Sequence, residues 1–299
     1  MILYEDREIL VCHKPEGLAV QSARLGQKDL VSILNNYLAE GRQMEAREAD
    51  GQTEKCRDEL FGKHSGERSG KYSGEMSGKQ KRRGETVQTV SVVHRLDQPV
   101  EGVIVFAKTK RAAAGLTRQI TDGRMRKVYQ AVCCVTEKAE ITDDPQEVWA
   151  LTDYLVKDGR TNTSHIAAKG EKDAKEARLS FRVLKSWKVE EEKTGSFKSI
   201  ENLEKEEAAE REKKVPAVRY VLVEIYLETG RHHQIRVQMA HAGLPLYGDR
   251  KYNRDWERYL NGCGQELALC AVSLDFAHPV TGKKLHFAVK PQKKIFQEQ

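Results

Sequence analysis

Residues 94–109 read HRLDQPVEGVIVFAKT, so an arginine and an aspartate stand directly before an apolar run. The pair Gln98-Pro99 predicts a turn between two strands, VSVVHRLD and GVIVFAKT. An acid that ends a strand before such a turn projects from a rigid sheet edge into a cleft. Asp97 is therefore the first candidate for a catalytic carboxylate.

The other periodic segments are mostly strands that follow one another through hairpins. Two short strands are predicted between residues 2 and 20, and the segments RKVYQAVCCV, ARLSFRVL and RYVLVEIYLETG follow later. The C-terminal stretch predicts a hairpin around residues 278–282, and helices are predicted at 30–38, at KRAAAGLTRQITDG and at HHQIRVQMAHAG. Because no β-α-β rhythm is present, the pattern predicts an α+β fold with a mixed, mostly antiparallel sheet and flanking helices.

Two polar segments interrupt this pattern. Residues 41–86 contain Ser-Gly at positions 65, 69, 73 and 77, and residues 188–216 are a run of acidic and basic side chains. Neither segment carries enough apolar side chains to bury a face, so both are predicted to be flexible insertions. The whole chain, residues 1–299, is predicted to be one domain with these two insertions.

Composition restricts the partners that the chain is suited to. The 299 residues carry a net charge of +6, which favours a polyanionic partner. The sequence has no run of about 18 apolar residues, and its N-terminal segment carries charges throughout and lacks the apolar core of a signal peptide. Its six cysteines form no CxxC pair. These features predict a cytoplasmic protein with reduced thiols and no membrane partner, and nothing demands more than a monomer.

Several common catalytic motifs are absent from the sequence. It has no phosphate-binding loop, no dinucleotide-binding glycine motif and no HExxH motif of zinc proteases. The letters HRLD differ from the kinase HRD loop, and the partner motifs of a kinase are missing. His232 and His233 are adjacent, so on a helix their side chains diverge by about 100° and do not easily share one ion. We therefore expect no metal site and no cofactor.

The remaining chemistry-bearing groups are Asp97 and two arginines late in the chain. Arg236 is predicted in the first turn of a helix, and Arg231 in the loop before it. An arginine within ion-pair reach would lower the pKa of Asp97 and keep the carboxylate ionised. An ionised carboxylate suits a nucleophile or a stabiliser of positive charge. A structural salt bridge that ties a strand end to a helix is the alternative.

Four motifs occur in a fixed order, namely HRLDQPVEGVIVFAKT, RKVYQAV, LETGRHHQIRVQMAHAGLPLYGDRKY and LDFAHPVTG. In this order they resemble the pseudouridine synthases that modify large-subunit ribosomal RNA and transfer RNA. The N-terminal segment ILYEDREILVCHKPEGLAV is similar to the opening strands of that family, and the agreement covers residues 1–38 and 89–289. The resemblance implies the catalytic fold of this family. The N-terminal RNA-binding domain that many members carry is not expected, because the catalytic pattern begins by residue 2.

The resemblance also assigns roles to individual residues. It implies that Asp97 is the catalytic aspartate, that Arg236 pairs with it, and that Tyr129 packs on the target base. Arg95 would fill the space that a flipped uridine leaves. Further candidates for contacts with RNA are His94, Arg231, Lys14, Lys127 and Arg250. For Lys14, Lys127 and Arg250 the alternative is a plain surface charge.

The implied reaction needs no cofactor. Pseudouridine formation breaks the bond from N1 to C1′, turns the uracil and rejoins it through C5, so no atom is gained or lost. One ionised carboxylate serves three alternatives: attack on C6, attack on C1′, or stabilisation of a cationic sugar. Extrusion of the uridine from its stack costs a few kcal/mol, and stacking on a tyrosine recovers about 1–3 kcal/mol.

Two positions depart from the family pattern. Glu101, in QPVEG, lies where the family usually shows a small hydroxyl residue before the glycine, and we expect its side chain to point to solvent. If it faced the cleft instead, it would raise the pKa of Asp97. His232 replaces a commoner threonine or serine. These departures and the polar segments leave a second hypothesis open, a non-catalytic RNA-binding or ribosome-assembly protein on the same fold.

Overall fold

The computed structural model describes residues 2–22, 26–49, 89–189, 218–253 and 266–297. The strands in chain order are β1 Ile2–Glu5, β2 Ile9–Lys14, β3 Ser91–Val92, β4 Glu101–Ala107, β5 Arg126–Cys134, β6 Trp149–Asp158, β7 Thr163–Ala167, β8 Lys175–Val189, β9 Val218–Leu227, β10 Leu269–Ala277 and β11 Lys284–Ala288. The helices are α1 Leu30–Ala49, α2 Lys110–Thr121 and α3 Gln234–His241, followed by a short 3-10 helix at Lys294–Phe296. None of the helices in these ranges has the length and apolar character that crossing a membrane requires.

The described strands form one eleven-stranded sheet. Its main path runs β1-β2-β4-β10-β5-β9-β8-β6-β7, while β11 pairs with β10 and β3 pairs with β4. The pair β4 and β10 is parallel. The other pairs of named strands are antiparallel. The predicted α+β fold with a mixed, mostly antiparallel sheet is confirmed.

Strand β4 lies in the middle of the core, and every residue along it is buried. Ile104 belongs to the same apolar cluster as Leu34 of α1. Val105 points to the opposite face and shares a second cluster with Leu116 of α2. Full burial of one such side chain stabilises the fold by about 1.5–3 kcal/mol. The strand is therefore held from both faces, and it gives rigid support to the turn before it, residues 97–100.

Gly102 permits the parallel contact between β4 and β10. Its φ is 132°, a conformation that residues with a side chain rarely adopt. Gly102 is the register partner of Ala271, and a Cβ atom at position 102 would overlap the backbone of Ala271. The glycine therefore lets β10 cross close to the start of β4, just after the turn that carries Asp97.

Several element boundaries differ from the predictions. The strand expected before Asp97 is only the short β3, so residues 94–97 lie in an irregular segment. Helix α1 extends to Ala49 instead of ending near residue 38. Strands β6 and β7 were not predicted, because most of their side chains are half-buried or exposed and no continuous apolar face marks them.

Helix α3 begins at Gln234 and not at His232 as predicted. His233 directly precedes the helix and has a left-handed backbone with a φ of 53°. The rings of His232 and His233 stack with their centroids 3.8 Å apart. The predicted divergence of these side chains by about 100° is wrong, because that angle applies only to neighbours inside a helix.

The two predicted insertions are only partly covered. Residues 50–88 and 190–217 lie outside the described residues, so most of the segments 41–86 and 188–216 is not seen. Residues 41–49 are helical, since they continue α1, and residues 188–189 complete β8. The organisation of residues 1–299 as a single domain stays a prediction.

Candidate active site

A cleft of about 1110 Å³ opens beside the turn after residue 94. Its walls come from that turn, from the loop after α2, from β5, from the start of β8 and from the segment that joins β9 to α3. Seven of the nine residues singled out from the sequence line it, namely His94, Arg95, Asp97, Lys127, Tyr129, Arg231 and Arg236. The fold therefore brings together residues that are far apart in the sequence.

The turn that carries Asp97 is held by contacts to its backbone. Val100 N donates to Asp97 O at 3.0 Å, which closes the turn. Lys14 Nζ donates to Gln98 O at 3.0 Å, and Lys293 Nζ lies 3.5 Å from Pro99 O. Two lysines from opposite ends of the chain thus fix the carbonyl groups that follow Asp97.

Lys14 does not have the predicted role. Its side chain is fully buried, and its ammonium donates to the carbonyl oxygens of Pro15, Leu18 and Gln98. An ammonium has three donors, so none is left for a phosphate. Burial also lowers the pKa of Lys14 to about 8. Both the predicted phosphate contact and its alternative, a surface charge, are wrong, because the residue is an internal support of the Asp97 turn.

The Asp97 carboxylate faces the cleft and two nitrogen donors. Its side chain is 31% exposed, and Oδ2 lies 3.7 Å from Arg236 Nη1 and 3.6 Å from His233 Nε2. Both of these contacts are made to the same carboxylate oxygen, and both are longer than a normal hydrogen bond. The carboxylate is therefore held loosely by its two nitrogen neighbours and stays partly open to the cleft.

The main partner of Arg236 is Asp249, which the sequence did not single out. Arg236 Nε and Nη2 donate to the two carboxylate oxygens of Asp249 at 2.8 and 2.7 Å. The guanidinium carbon also lies 5.1 Å from the centre of the Tyr252 ring. The predicted pairing with Asp97 exists, but it is the longer of the two contacts. In the motif GDRKY the sequence indicated the basic residue Arg250 as a site residue, whereas the acid of the motif, Asp249, holds Arg236.

The pKa of Asp97 is raised, which is the opposite of the predicted direction. Burial of the carboxyl group is the largest cause. The charges of Arg236 and Lys14 lower the pKa, while the negative charge of Asp249 raises it further. The arginine acts in the expected direction, but loss of hydration outweighs it because the side chain sits in a partly closed cleft.

Glu101 also differs from its prediction, which placed its side chain in solvent. It is only 3% exposed, and Oε1 accepts a hydrogen bond from Gln292 N at 3.1 Å. Oε2 lies 3.8 Å from His13 Nε2. Glu101 begins the buried strand β4, so its carboxylate is directed into the protein. The second acid that acts on Asp97 is Asp249.

Tyr129 lies on β5 between β9 and β10, and only 6% of its surface is exposed. Its ring borders the cleft. Burial raises the pKa of the hydroxyl group, and the nearby charge of Asp97 raises it further. The tyrosine is therefore un-ionised and close to the carboxylate.

Four other predicted residues border the same cleft, and three of them are Arg95, Arg231 and Lys127. Arg95 is exposed, and its Nη2 donates to Gln21 Oε1 at 3.1 Å. Arg231 is exposed, and its Nε donates to Glu176 O at 2.8 Å. Burial lowers the pKa of Lys127 to about 8.

His94 is the fourth of these residues. Its Nε2 accepts a hydrogen bond from Val105 N at 3.3 Å, while its buried Nδ1 has no hydrogen-bond partner in the described part of the chain. Arg250, in contrast, is exposed at the turn after Asp249 and does not border the cleft.

The sequence profile of the RNA pseudouridylate synthase family matches residues 8–241, more than half of the chain. The chain belongs to this family. The resemblance seen in the four ordered motifs is confirmed, and so is the predicted class of enzyme, an isomerase.

Relatives of the synthase align along most of its length. A tRNA pseudouridine synthase C of Pectobacterium carotovorum is 26% identical over 289 residues, which are 95% of this chain and 57% of the relative. A tRNA pseudouridine synthase C of Vibrio cholerae is 30% identical over 213 residues, 69% of this chain and 74% of the relative. A ribosomal large subunit pseudouridine synthase D of Zymomonas mobilis is 29% identical over 298 residues, 97% of this chain and 69% of the relative. The synthase thus spans between 57% and 74% of the length of these relatives.

Two solved structures share the fold. Human RNA Pseudouridylate Synthase Domain Containing 4 superposes with a TM-score of 0.58 at 19% identity, over 97% of the synthase and 88% of that chain. Human RNA Pseudouridylate Synthase Domain Containing 1 gives a TM-score of 0.53 at 18% identity, over 97% and 82% of the two chains. The expected pseudouridine synthase catalytic fold is confirmed.

Proposed function

We propose that this synthase converts specific uridines of transfer or ribosomal RNA into pseudouridine, with Asp97 as the reacting carboxylate. The relatives that suggest these substrates are named for tRNA and for the ribosomal large subunit. The observation that carries the proposal is the position of Asp97. It borders a large cleft, its side chain is 31% exposed, and Arg236 and His233 lie within 4 Å of its Oδ2. The exposed part of this carboxylate is the part that meets the nucleotide.

The chemistry requires an ionised carboxylate near the sugar and the base. Cleavage of the N1–C1′ bond is followed by formation of the C5–C1′ bond, and C5 loses a proton while N1 gains one, so the composition does not change. Arg236 supports the ionised form of Asp97. Tyr129, buried beside Asp97, packs on the flipped base and offsets part of the cost of extrusion, by about 1–3 kcal/mol.

The basic residues at the cleft bind the RNA around this base. Arg95 and Arg231 are exposed at its border, and Arg95 takes the place of the extruded uridine in the stack. Lys127 and His94 line the wall that the target nucleotide approaches. Arg250 lies outside the cleft and contacts the backbone farther along the RNA. The net charge of +6 supports this polyanionic partner.

The non-catalytic alternative is not favoured. A protein that only binds RNA has no use for a carboxylate that faces a polyanion, because the two repel each other. Family membership and the contacts of Asp97 with Arg236 and His233 both support catalysis. We also propose that the synthase acts as a monomer in the cytoplasm, without metal or cofactor. Gel filtration of the purified protein tests the monomer, and an assay in a chelator tests whether a metal is needed.

The test of the proposed function is modification of RNA by the purified protein. The wild-type protein is expected to form pseudouridine in tRNA or rRNA from a strain that lacks the gene. Asp97→Asn should reduce the rate by at least about 1,000-fold, because the isosteric amide neither attacks nor stabilises positive charge. Binding of RNA should be retained. The measurement is pseudouridine mapping together with a filter-binding assay.

Asp275→Asn is the matched control, since Asp275 is a partly exposed acid that pairs with His286 away from the cleft. It should leave the rate unchanged. An active Asp97→Asn protein would remove Asp97 from its role. An unaltered pseudouridine map in the strain without the gene would favour the non-catalytic alternative.

A further inference from the structure

His233 stands between the catalytic carboxylate and a tyrosine hydroxyl. Its Nε2 lies 3.6 Å from Asp97 Oδ2, and its Nδ1 lies 2.7 Å from Tyr252 OH. The side chain is only 6% exposed. The left-handed backbone of His233, with a φ of 53°, directs the ring to this position before α3 begins. Such a conformation is uncommon for a residue with a side chain and is typical of functional sites.

The direction of the hydrogen bond from Tyr252 follows from its other partner. The backbone N–H of Ser164, on β7, donates to Tyr252 OH at 2.8 Å. A phenol carries a single hydrogen, and among the described residues His233 Nδ1 is the acceptor within reach of it. The hydroxyl therefore accepts from Ser164 and donates to His233. In the opposite arrangement Nδ1 would donate and the tyrosine hydrogen would have no acceptor there.

The remaining ring nitrogen then carries the proton. Burial and the charge of Arg236 hold the pKa of His233 well below its usual value, so the ring is neutral and has one N–H. With Nδ1 as acceptor, that N–H is on Nε2 and faces Asp97 Oδ2. The other tautomer would turn a lone pair toward a carboxylate oxygen, which is repulsive. Two separate arguments, from Tyr252 and from Asp97, give the same tautomer.

We propose that Tyr252 is a positioning residue that fixes the Nε2–H tautomer of His233 and so directs a neutral hydrogen-bond donor at Asp97. The inference rests on the proposed function of Asp97. A distance of 3.6 Å is longer than a hydrogen bond, and it shortens when a nucleotide fills the cleft, as catalytic contacts commonly do. The donor opposes the effect of burial on Asp97 without adding a charge that would attract the RNA backbone.

His232 supports this arrangement from the other side. Its ring stacks on His233 at 3.8 Å, and its nitrogens lie 2.9 Å from Ser164 Oγ and 3.1 Å from Asn162 Oδ1. Ser164 thus contacts both residues: its backbone N–H bonds to Tyr252, and its hydroxyl bonds to His232. His232 does not contact the Tyr252 hydroxyl in this network. A substitution of His232 therefore removes the ring that stacks on His233 but leaves the hydrogen bond between Tyr252 and His233 in place.

The first experiment reads the tautomer directly and does not depend on activity. Nitrogen NMR of the full-length protein with labelled histidine distinguishes a protonated from an unprotonated ring nitrogen. The protein has nine histidines, and the spectrum of His233→Gln identifies the signals of His233. We expect Nε2–H in the wild type, a mixture of tautomers in Tyr252→Phe and an unchanged tautomer in His232→Thr. An Nδ1–H signal in the wild type would overturn the proposal, even if Asp97 proves catalytic.

The second experiment measures kcat and KM on RNA. Tyr252→Phe keeps the ring beside Arg236 and should lower kcat by about 10- to 100-fold, the usual effect of one hydrogen bond to a charged group, with KM nearly unchanged. Tyr4→Phe is the control, since it removes a hydroxyl bonded to Asp6 outside the cleft and should leave kcat unchanged.

A matched pair at position 233 completes the test. His233→Gln and His233→Leu impose the same left-handed strain, but only glutamine keeps a donor for Asp97. The glutamine protein should retain at least tenfold more kcat than the leucine protein. Equal rates for the two proteins, or a change in KM alone after Tyr252→Phe, would contradict the positioning role. If Tyr252→Phe fails to fold, the wild-type NMR spectrum still tests the tautomer, and the pair at position 233 still tests the donor to Asp97.

Discussion

Asp97 and Asp249 both contact Arg236, but the two carboxylates have different surroundings. The side chain of Asp249 is fully buried, and both of its oxygens accept hydrogen bonds from the guanidinium at 2.7 and 2.8 Å. Asp249 Oδ1 also accepts from Lys251 N at 2.9 Å. Asp97 is 31% exposed, and its Oδ2 is 3.7 Å from the same arginine. One carboxylate has its bonding capacity filled, and the other does not.

Asp249 contributes to the stability of the site, and Asp97 provides its reactive group. Asp249 anchors Arg236, and Arg236 then stands at a set distance from Asp97. Asp249 takes two donors of the guanidinium, so Arg236 only partly offsets the burial that raises the pKa of Asp97. A reactive group that is incompletely satisfied is tolerated when its neighbours are rigid.

The largest expected effect on stability comes from Asp249→Asn. The variant leaves the buried guanidinium of Arg236 without its main partner, and loss of one member of a buried pair costs about 3–5 kcal/mol. The measurement is urea unfolding of the variant and the wild type. Without the anchor, Arg236 should turn toward Asp97 and lower its pKa, so the acidic limb of the pH–rate profile should move to lower pH. Wild-type stability in this variant would refute the distinction between the two aspartates.

A smaller effect is expected from Arg236→Lys, which keeps the positive charge. Lysine has no planar fork, so it cannot donate to both oxygens of Asp249 in parallel. One buried carboxylate oxygen is then left unsatisfied, which should reduce stability by about 1–3 kcal/mol. The loss should nearly disappear in the background of Asp249→Asn, as a double-mutant cycle by urea unfolding can show. Additive losses would mean that the arginine stabilises the fold through other contacts, such as the Tyr252 ring.

The smallest effect, and one of opposite sign, is expected from Asp97→Asn. The pKa of Asp97 is raised above 3.8 in the folded protein, so the folded state binds this proton more tightly than the unfolded chain does. The ionised carboxylate therefore reduces stability at neutral pH, and an amide should raise Tm there. The gain should shrink as the pH falls and disappear below 3.8, where the aspartate is protonated in both states. Thermal melting at several pH values is the measurement, and a lower Tm at pH 7 would contradict the sign.

Sequence patterns predicted most of the secondary structure around the site, but not its buried charges. Strong alternation and a continuous apolar run identified β4, β5 and β9, because their side chains face a core. Lys14 and Glu101 were misread as external groups, although both are buried. Lys14 reaches Gln98 and Glu101 reaches Gln292, both far along the chain, and a local pattern contains no information on such contacts.

The sequence by itself determined the family, the class of fold and the identity of Asp97, Tyr129 and Arg236 as residues of one site. Those features depend on residue types in a fixed order, which a chain displays before it folds. Only the tertiary structure decided that Asp249 holds Arg236, that the pKa of Asp97 is raised, and that His233 stands between Asp97 and Tyr252. These properties arise from burial and from distances between elements, and both exist only after the chain has folded.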